Sequence, residues 1–256
     1  MTGSDATAVP AADATAERMR RYWDARARER AMWFIHSSLD YRHPDEAAFW
    51  RSGMETLDHT LAPFGLELDR HQRVLEIGCG IGRITRAIAE RSGSVVGVDV
   101  SVEMVERGRR LLAAVPNVEL VLGNGRDLDG LPDDEFDAAY SFIVFQHIPD
   151  PAITCSYIRE MGRVLRPGGW AVFQVSERPE IHRREHWTAS EPLSARIARR
   201  LGRRPTGTLE AEWLGSSLGR AQLLDALADG GLRLESIDGG GTQFCLVHAS
   251  RPGGAP

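Results

Sequence analysis

At 256 residues, 42% of them hydrophobic and 26% charged, the chain has the make-up of one folded domain with additions, which excludes a disordered or fibrous polymer. All 31 basic residues are arginine, and without lysine there is no Schiff base, no pyridoxal phosphate attachment and no phosphate-binding lysine of a P-loop. A net charge of −5 argues against nucleic acid as the main partner, and three scattered cysteines (Cys79, Cys155, Cys245) suit neither a disulfide framework nor a zinc site.

The first 17 residues mix small side chains with acids and lack the apolar core of a signal peptide, so a disordered tip is expected. No later run reaches the length needed to span a bilayer, which leads us to expect a cytoplasmic protein that does not enter the membrane. From Arg18 to about Phe34 apolar residues recur at helical spacing, and a second amphipathic stretch runs from about Asp45 to Leu61, closed by Pro63 and Gly65. Residues 18–66 therefore read as a helical cap. Between Arg73 and Ser176 short β-branched runs alternate with amphipathic helices, the pattern of a parallel sheet with right-handed crossovers. Residues 67–176 are the expected core. Residues 177–214 form an arginine-rich insertion with a short predicted helix near SARIARRL, and 215–256 supply a last helix and two more strands around a glycine turn.

The stretch VLEIGCGIGRIT, residues 74–85, places a glycine turn between strand and helix. Gly78, Gly80 and Gly82 let main-chain N–H groups approach a ligand at the positive end of the next helix, but Arg83 stands where a dinucleotide fingerprint has its third glycine. That spacing suits a nucleoside with a small polar tail better than NAD. Asp99 ends the next strand about 20 residues on, where a carboxylate can take both ribose hydroxyls; the alternative is a helix-capping role beside Ser101.

Taken together, VLEIGCGIGRIT, VVGVDVS and LRPGGWAVF resemble the motifs of class I S-adenosylmethionine-dependent methyltransferases, over residues 74–176. The resemblance implies an α/β fold, doubly wound and Rossmann-like, whose seven-stranded sheet ends in an antiparallel strand. It also implies S-adenosyl-L-methionine as cofactor and S-adenosyl-L-homocysteine as product. Carried over residue by residue, Glu76 fixes the methionine end, Gly78, Gly80 and Gly82 line the cofactor, Asp99 holds the ribose, and Val100 and Met104 pack near the adenine. Gly125 and Arg126 offer backbone N–H groups, Asn124 or Asp127 meets the adenine amino group, and Ser141 and Phe142 add backbone contacts. Tyr22 and Trp23 belong to a helix laid over the cofactor, with Arg26 and Arg28 as candidates for its carboxylate, although the bland reading of that helix face is solvation.

The acceptor side reads SFIVFQHIPDP, residues 141–151. It lacks the Asn-Pro-Pro-Tyr turn of amino-methyltransferases acting on DNA or protein glutamine, so a small-molecule acceptor with an oxygen or nitrogen nucleophile is expected. His147 is the candidate catalytic base, against a reading in which it only closes the pocket; Phe145 is expected beside the sulfonium. His182 and His186 have i, i+4 spacing, but without a third ligand they read as an exposed loop, and no metal is expected. The arginines of the insertion (Arg178, Arg183, Arg184, Arg196, Arg199, Arg200, Arg203, Arg204) read as surface charge, or as a patch that steers an anionic acceptor. Peptide methylation, a non-catalytic cofactor-binding module and an NAD oxidoreductase are the rival functions. One sequence does not reveal the oligomeric state.

Overall fold

A computed structural model describes residues 11–188 and 204–253, together with the single positions 194 and 198. Seven strands form one sheet in the order β3-β2-β1-β4-β5-β7-β6. They are β1 (Arg73–Ile77), β2 (Ser94–Asp99), β3 (Val118–Leu122), β4 (Phe136–Ser141), β5 (Leu165–Val175), β6 (Arg233–Asp238) and β7 (Cys245–Ser250). The first five run parallel, and β7 lies antiparallel between β5 and β6. Val74, Leu75, Ala138, Ala139, Ala171 and Val172 are all 0% exposed, as expected of central strands covered on both faces by helices.

The strand order reverses between β1 and β4, so their connections leave toward opposite faces and open a crevice at the carboxyl ends. Helices α3 (Arg83–Ala89), α4 (Val102–Leu111) and α5 (Pro151–Val164) make the crossovers. Each of the last two starts at a sequence-encoded cap: Ser101 Oγ accepts from the Met104 amide at 3.1 Å, and Asp150 accepts from the Ala152 amide at 2.9 Å ahead of Pro151.

The cap comprises α1 (Ala11–Ile35), whose backbone leaves helical geometry at Arg30, and α2 (Glu46–Leu61). Helix α1 begins seven residues before the expected start at residue 18, which corrects the disordered tip for residues 11–17. Ala11, Ala12, Ala14 and Ala16 are strong helix formers, Asp13 suits the first turn, Ala16 is 4% exposed against the core, and Arg126 pairs with Asp13. Residues 1–10 lie outside the described residues, as do Arg196, Arg199, Arg200, Arg203 and most of the predicted SARIARRL helix. Asp24 docks α1 on the start of α4, accepting from Ser101 Oγ at 2.7 Å and from the Glu103 amide at 3.1 Å.

The described second end of the insertion, residues 204–214, packs as a cover over α1. Thr206 donates to Glu29 through both its amide and its hydroxyl, Tyr22 donates to the Gly207 carbonyl, and Arg18 pairs with Glu212. Trp213 stacks on Trp33 with ring centroids 6.0 Å apart and meets Phe34 edge-on at 5.7 Å. Among the described residues, no helix is long and apolar enough to cross a membrane.

Candidate active site

A cavity of about 1020 Å³, open mouth included, occupies the crevice at the sheet reversal. Its floor is the glycine turn. Gly78, Gly80 and Gly82 all have left-handed backbones, with φ of 75°, 55° and 92°. A side chain at Gly78 would put Cβ 2.2 Å from Val144 Cγ2, and one at Gly80 would put it 2.7 Å from Ile35 Cδ1. The turn must therefore be bare, because the β4 loop and the end of α1 close directly on it.

Asp99 closes one side. Its Oδ2 accepts from the Gly80 amide and its Oδ1 from the Ser101 amide, each at 2.8 Å, which leaves lone pairs on both oxygens for a ligand. In the geometry Asp99 both steadies the start of α4 and lines the cavity. Burial raises its carboxyl to about 6. At the other end Glu76, 3% exposed, accepts from Thr85 Oγ1 and is pushed by burial to about 7.

Arg83 is the residue the sequence reading did not assign. Its Nη1 donates to the Ser52 carbonyl at 3.0 Å and to Thr56 Oγ1 at 2.9 Å, while its buried Nε has no partner among the described residues. The side chain lines the cavity at 5% exposure, and burial lowers its proton affinity. A guanidinium this enclosed, with its Nε unmet, calls for a hydrogen-bond acceptor. The departure from the dinucleotide fingerprint at position 83 was the available signal.

Val100, Met104, Gly125 and Phe142 also line the cavity with Glu76, Gly78, Gly80, Asp99 and His147. Other expected positions do not. Gly82 caps α3 behind the turn, and Ser141 Oγ donates to the Ile77 carbonyl inside the sheet at 3.1 Å. The Arg126 amide, expected to face the ligand, donates to Asn124 Oδ1 at 2.8 Å, and Tyr22 donates to the Gly207 carbonyl, so from that helix Met19, Trp23, Phe34 and Ile35 face the cavity instead. Arg26 pairs with Glu29 through Nη2 and lies over the rings of Tyr22 and Phe34, its buried Nε and Nη1 without a hydrogen-bond partner among the described residues, and exposed Arg28 pairs with Glu103. Asn124 and Asp127 bond to each other in a turn beside the cavity. Phe145, expected next to the reacting centre, is core, packed on Tyr157 and Phe173. Nor is His182 in an exposed loop: Leu214 and Ser176 engage its two ring nitrogens. Among the described residues no cluster of three or more metal-ligating side chains occurs.

His147 stands on the cavity wall where the β4 loop meets the cover. Its Nδ1 lies 2.5 Å from the Trp213 carbonyl oxygen, which can only accept, so Nδ1 carries the proton and Nε2 the lone pair. The ring packs against Trp213 and Trp23, with centroids 5.1 and 5.7 Å away, and burial holds its titration down at about 4. The imidazole is thus neutral at ordinary pH.

Sheet order, the antiparallel β7 and the ligand crevice at the strand ends define the fold of the class I methyltransferases. Geranyl diphosphate C-methyltransferase from Streptomyces coelicolor A3(2) shares that fold with a TM-score of 0.59 at 16% identity, over 96% of this chain and 99% of that one. Residues 74–169 match the family model described as a methyltransferase domain. An uncharacterized 37.1 kDa protein in transposon TN4556 of Streptomyces fradiae is 41% identical over 102 residues, 38% of this chain and 28% of that protein. Demethylmenaquinone methyltransferase of Staphylococcus carnosus is 33% identical over 119 residues, 45% of this chain and 48% of that enzyme. The chain thus matches about half or less of the length of these curated relatives. Over residues 74–169 the chain is similar to a methyltransferase domain, on a sheet with the class I methyltransferase strand order.

Proposed function

We propose that the chain is an enzyme that binds S-adenosylmethionine in this cavity and transfers its methyl group to an oxygen or nitrogen of a small-molecule acceptor. The observation that carries the reading is the pairing, within one cavity, of a carboxylate with open lone pairs, Asp99, and a buried guanidinium with an unmet donor, Arg83. A ribose at one end and an amino-acid carboxylate at the other meet both demands. When bound, the cofactor supplies an electrophilic methyl on a sulfonium. Glu76 accepts the ammonium, Arg83 the carboxylate and Asp99 the ribose hydroxyls, while Trp23 and Phe142 exclude water. His147 Nε2 takes the proton of an acceptor hydroxyl. A small-molecule acceptor is supported by the enclosing cover and by the relative named for demethylmenaquinone. Calorimetry tests the cofactor: S-adenosylhomocysteine binds and NADH does not. Labelled S-adenosylmethionine with a metabolite extract then reveals what gains a methyl, and no labelled product across extracts would refute turnover.

Two predictions arise from the amino-acid end. Arg83→Gln should weaken S-adenosylhomocysteine binding about 10- to 100-fold, the range for losing a charge-assisted bond, yet leave 5′-methylthioadenosine, which has no amino-acid tail, unaffected. Equal losses for both ligands would remove Arg83 from the carboxylate. Glu76 gives the pH dependence. Its acid is raised to about 7 in the free protein, and an ammonium beside it lowers that value. Affinity should therefore climb as pH rises toward about 7, level off above it, and be accompanied by proton release. Calorimetry in buffers of different ionisation heat reads that release, and its absence in the wild type would place the ammonium elsewhere.

A further inference from the structure

Gln174, near the end of β5, is 0% exposed, and both ends of its side-chain amide are used. Its Oε1 accepts from the Ile143 amide at 3.1 Å, while its Nε2 donates to Gln146 Oε1 at 3.1 Å and to the Gln243 carbonyl. The orientation follows from chemistry, since a backbone N–H only donates and a carbonyl only accepts. Gln146 must then present its oxygen to Gln174, which turns its own NH2 toward His147 Nε2, 3.4 Å away. From the other side the Trp213 carbonyl requires a proton on Nδ1. Two separate chains of bonds converge on one tautomer. The 3.4 Å contact is long for a hydrogen bond, so the Nε2 lone pair is only loosely engaged.

The same amide holds a strained turn. Ile143 lines the cavity with φ at 56°, a left-handed backbone that a β-branched residue rarely adopts. Its amide is the group that Gln174 Oε1 receives, and the turn leads into Val144, which seats on bare Gly78. The nearby titratable side chain is His182, whose nitrogens are engaged by Leu214 and Ser176.

We propose that Gln174 is a positioning residue: it holds the β4 loop in its strained path at Ile143 and, through Gln146, presents His147 with Nε2 unprotonated. The inference rests on the reading of His147 as the group that meets the acceptor. Nitrogen-resolved NMR of the imidazoles in the full chain, with S-adenosylhomocysteine bound, tests the tautomer. Wild type should show one His147 tautomer, protonated on Nδ1; Gln174→Met should keep it, because the Trp213 carbonyl still holds the Nδ1 proton, but should shift the Nε2 resonance as the Gln146 amide is released from its orientation. A melting cycle tests the turn: the loss of Tm caused by Gln174→Met should shrink at least twofold in the Ile143→Gly background, where the left-handed backbone no longer needs holding. Should Gln174→Met fail to fold alone, folding of the double variant is the expected rescue. An unchanged imidazole pattern in a folded Gln174→Met protein, an equal Tm loss in both backgrounds, or failure to fold in both would overturn the proposal. None of these readouts involves methyl transfer, so a fully active His147→Asn protein would refute the role of His147 while leaving them intact.

Discussion

Asp99→Ala should lower the affinity for S-adenosylhomocysteine about 100-fold or more. A carboxylate holding two hydroxyls contributes two charge-assisted hydrogen bonds at about 1.5–3 kcal/mol each. In the free protein both carboxylate oxygens already hold backbone amides, of Gly80 and Ser101, so the loss has a second source. The glycine turn loses the anchor that ties it to the end of β2. Asp99→Asn separates the two contributions: its amide oxygen still accepts one bond, and its loss should fall between wild type and alanine. Calorimetry reads both variants. An alanine variant that binds as tightly as wild type would move the nucleoside out of this cavity.

His147→Asn should act on the other quantity. Losing a positioned base lowers a proton-transfer step about 100- to 10,000-fold, whereas affinity for S-adenosylhomocysteine should change less than about threefold, a modest energy on the binding scale, because the cofactor contacts lie on Asp99, Glu76 and Arg83. The pH profile carries a second signature. His147 titrates at about 4 rather than at its ordinary 6.5, since burial disfavours the imidazolium. A base is lost as it gains a proton, so its contribution persists on acidification through 6.5 and disappears only as pH falls through about 4. Protons on Glu76 and Asp99 weaken cofactor binding at higher pH, so the rate must be read with saturating cofactor. An acid limb near 6.5 under those conditions would show an exposed imidazole and refute the buried one.

Much of this architecture is legible in the sequence, because strand and glycine turn are local signals. The β-branched runs around Val74 and Val95 read as buried strands, as they are, and three glycines after the first force a bare turn. Asp99 is legible for the same reason: it follows its strand directly. What the sequence hides is long-range. Whether Tyr22 or Trp23 faces the cavity depends on the rotation of α1, and that is set by Asp24 on α4 and by Gly207 from the insertion. The neighbours that take up Arg126 and Asn124 are likewise settled by packing. Gln174 reads as one more strand residue until its three partners, from the β4 loop and the β6–β7 turn, are brought beside it. Arg83 is an intermediate case, conspicuous by position yet silent about role.

The bond between His147 and the Trp213 carbonyl joins positions 66 residues apart. The imidazole's protonation pattern is therefore assembled from two separate stretches of chain. The proton on Nδ1 is thus fixed by a carbonyl that lies far along the chain, on the tryptophan that stacks on α1.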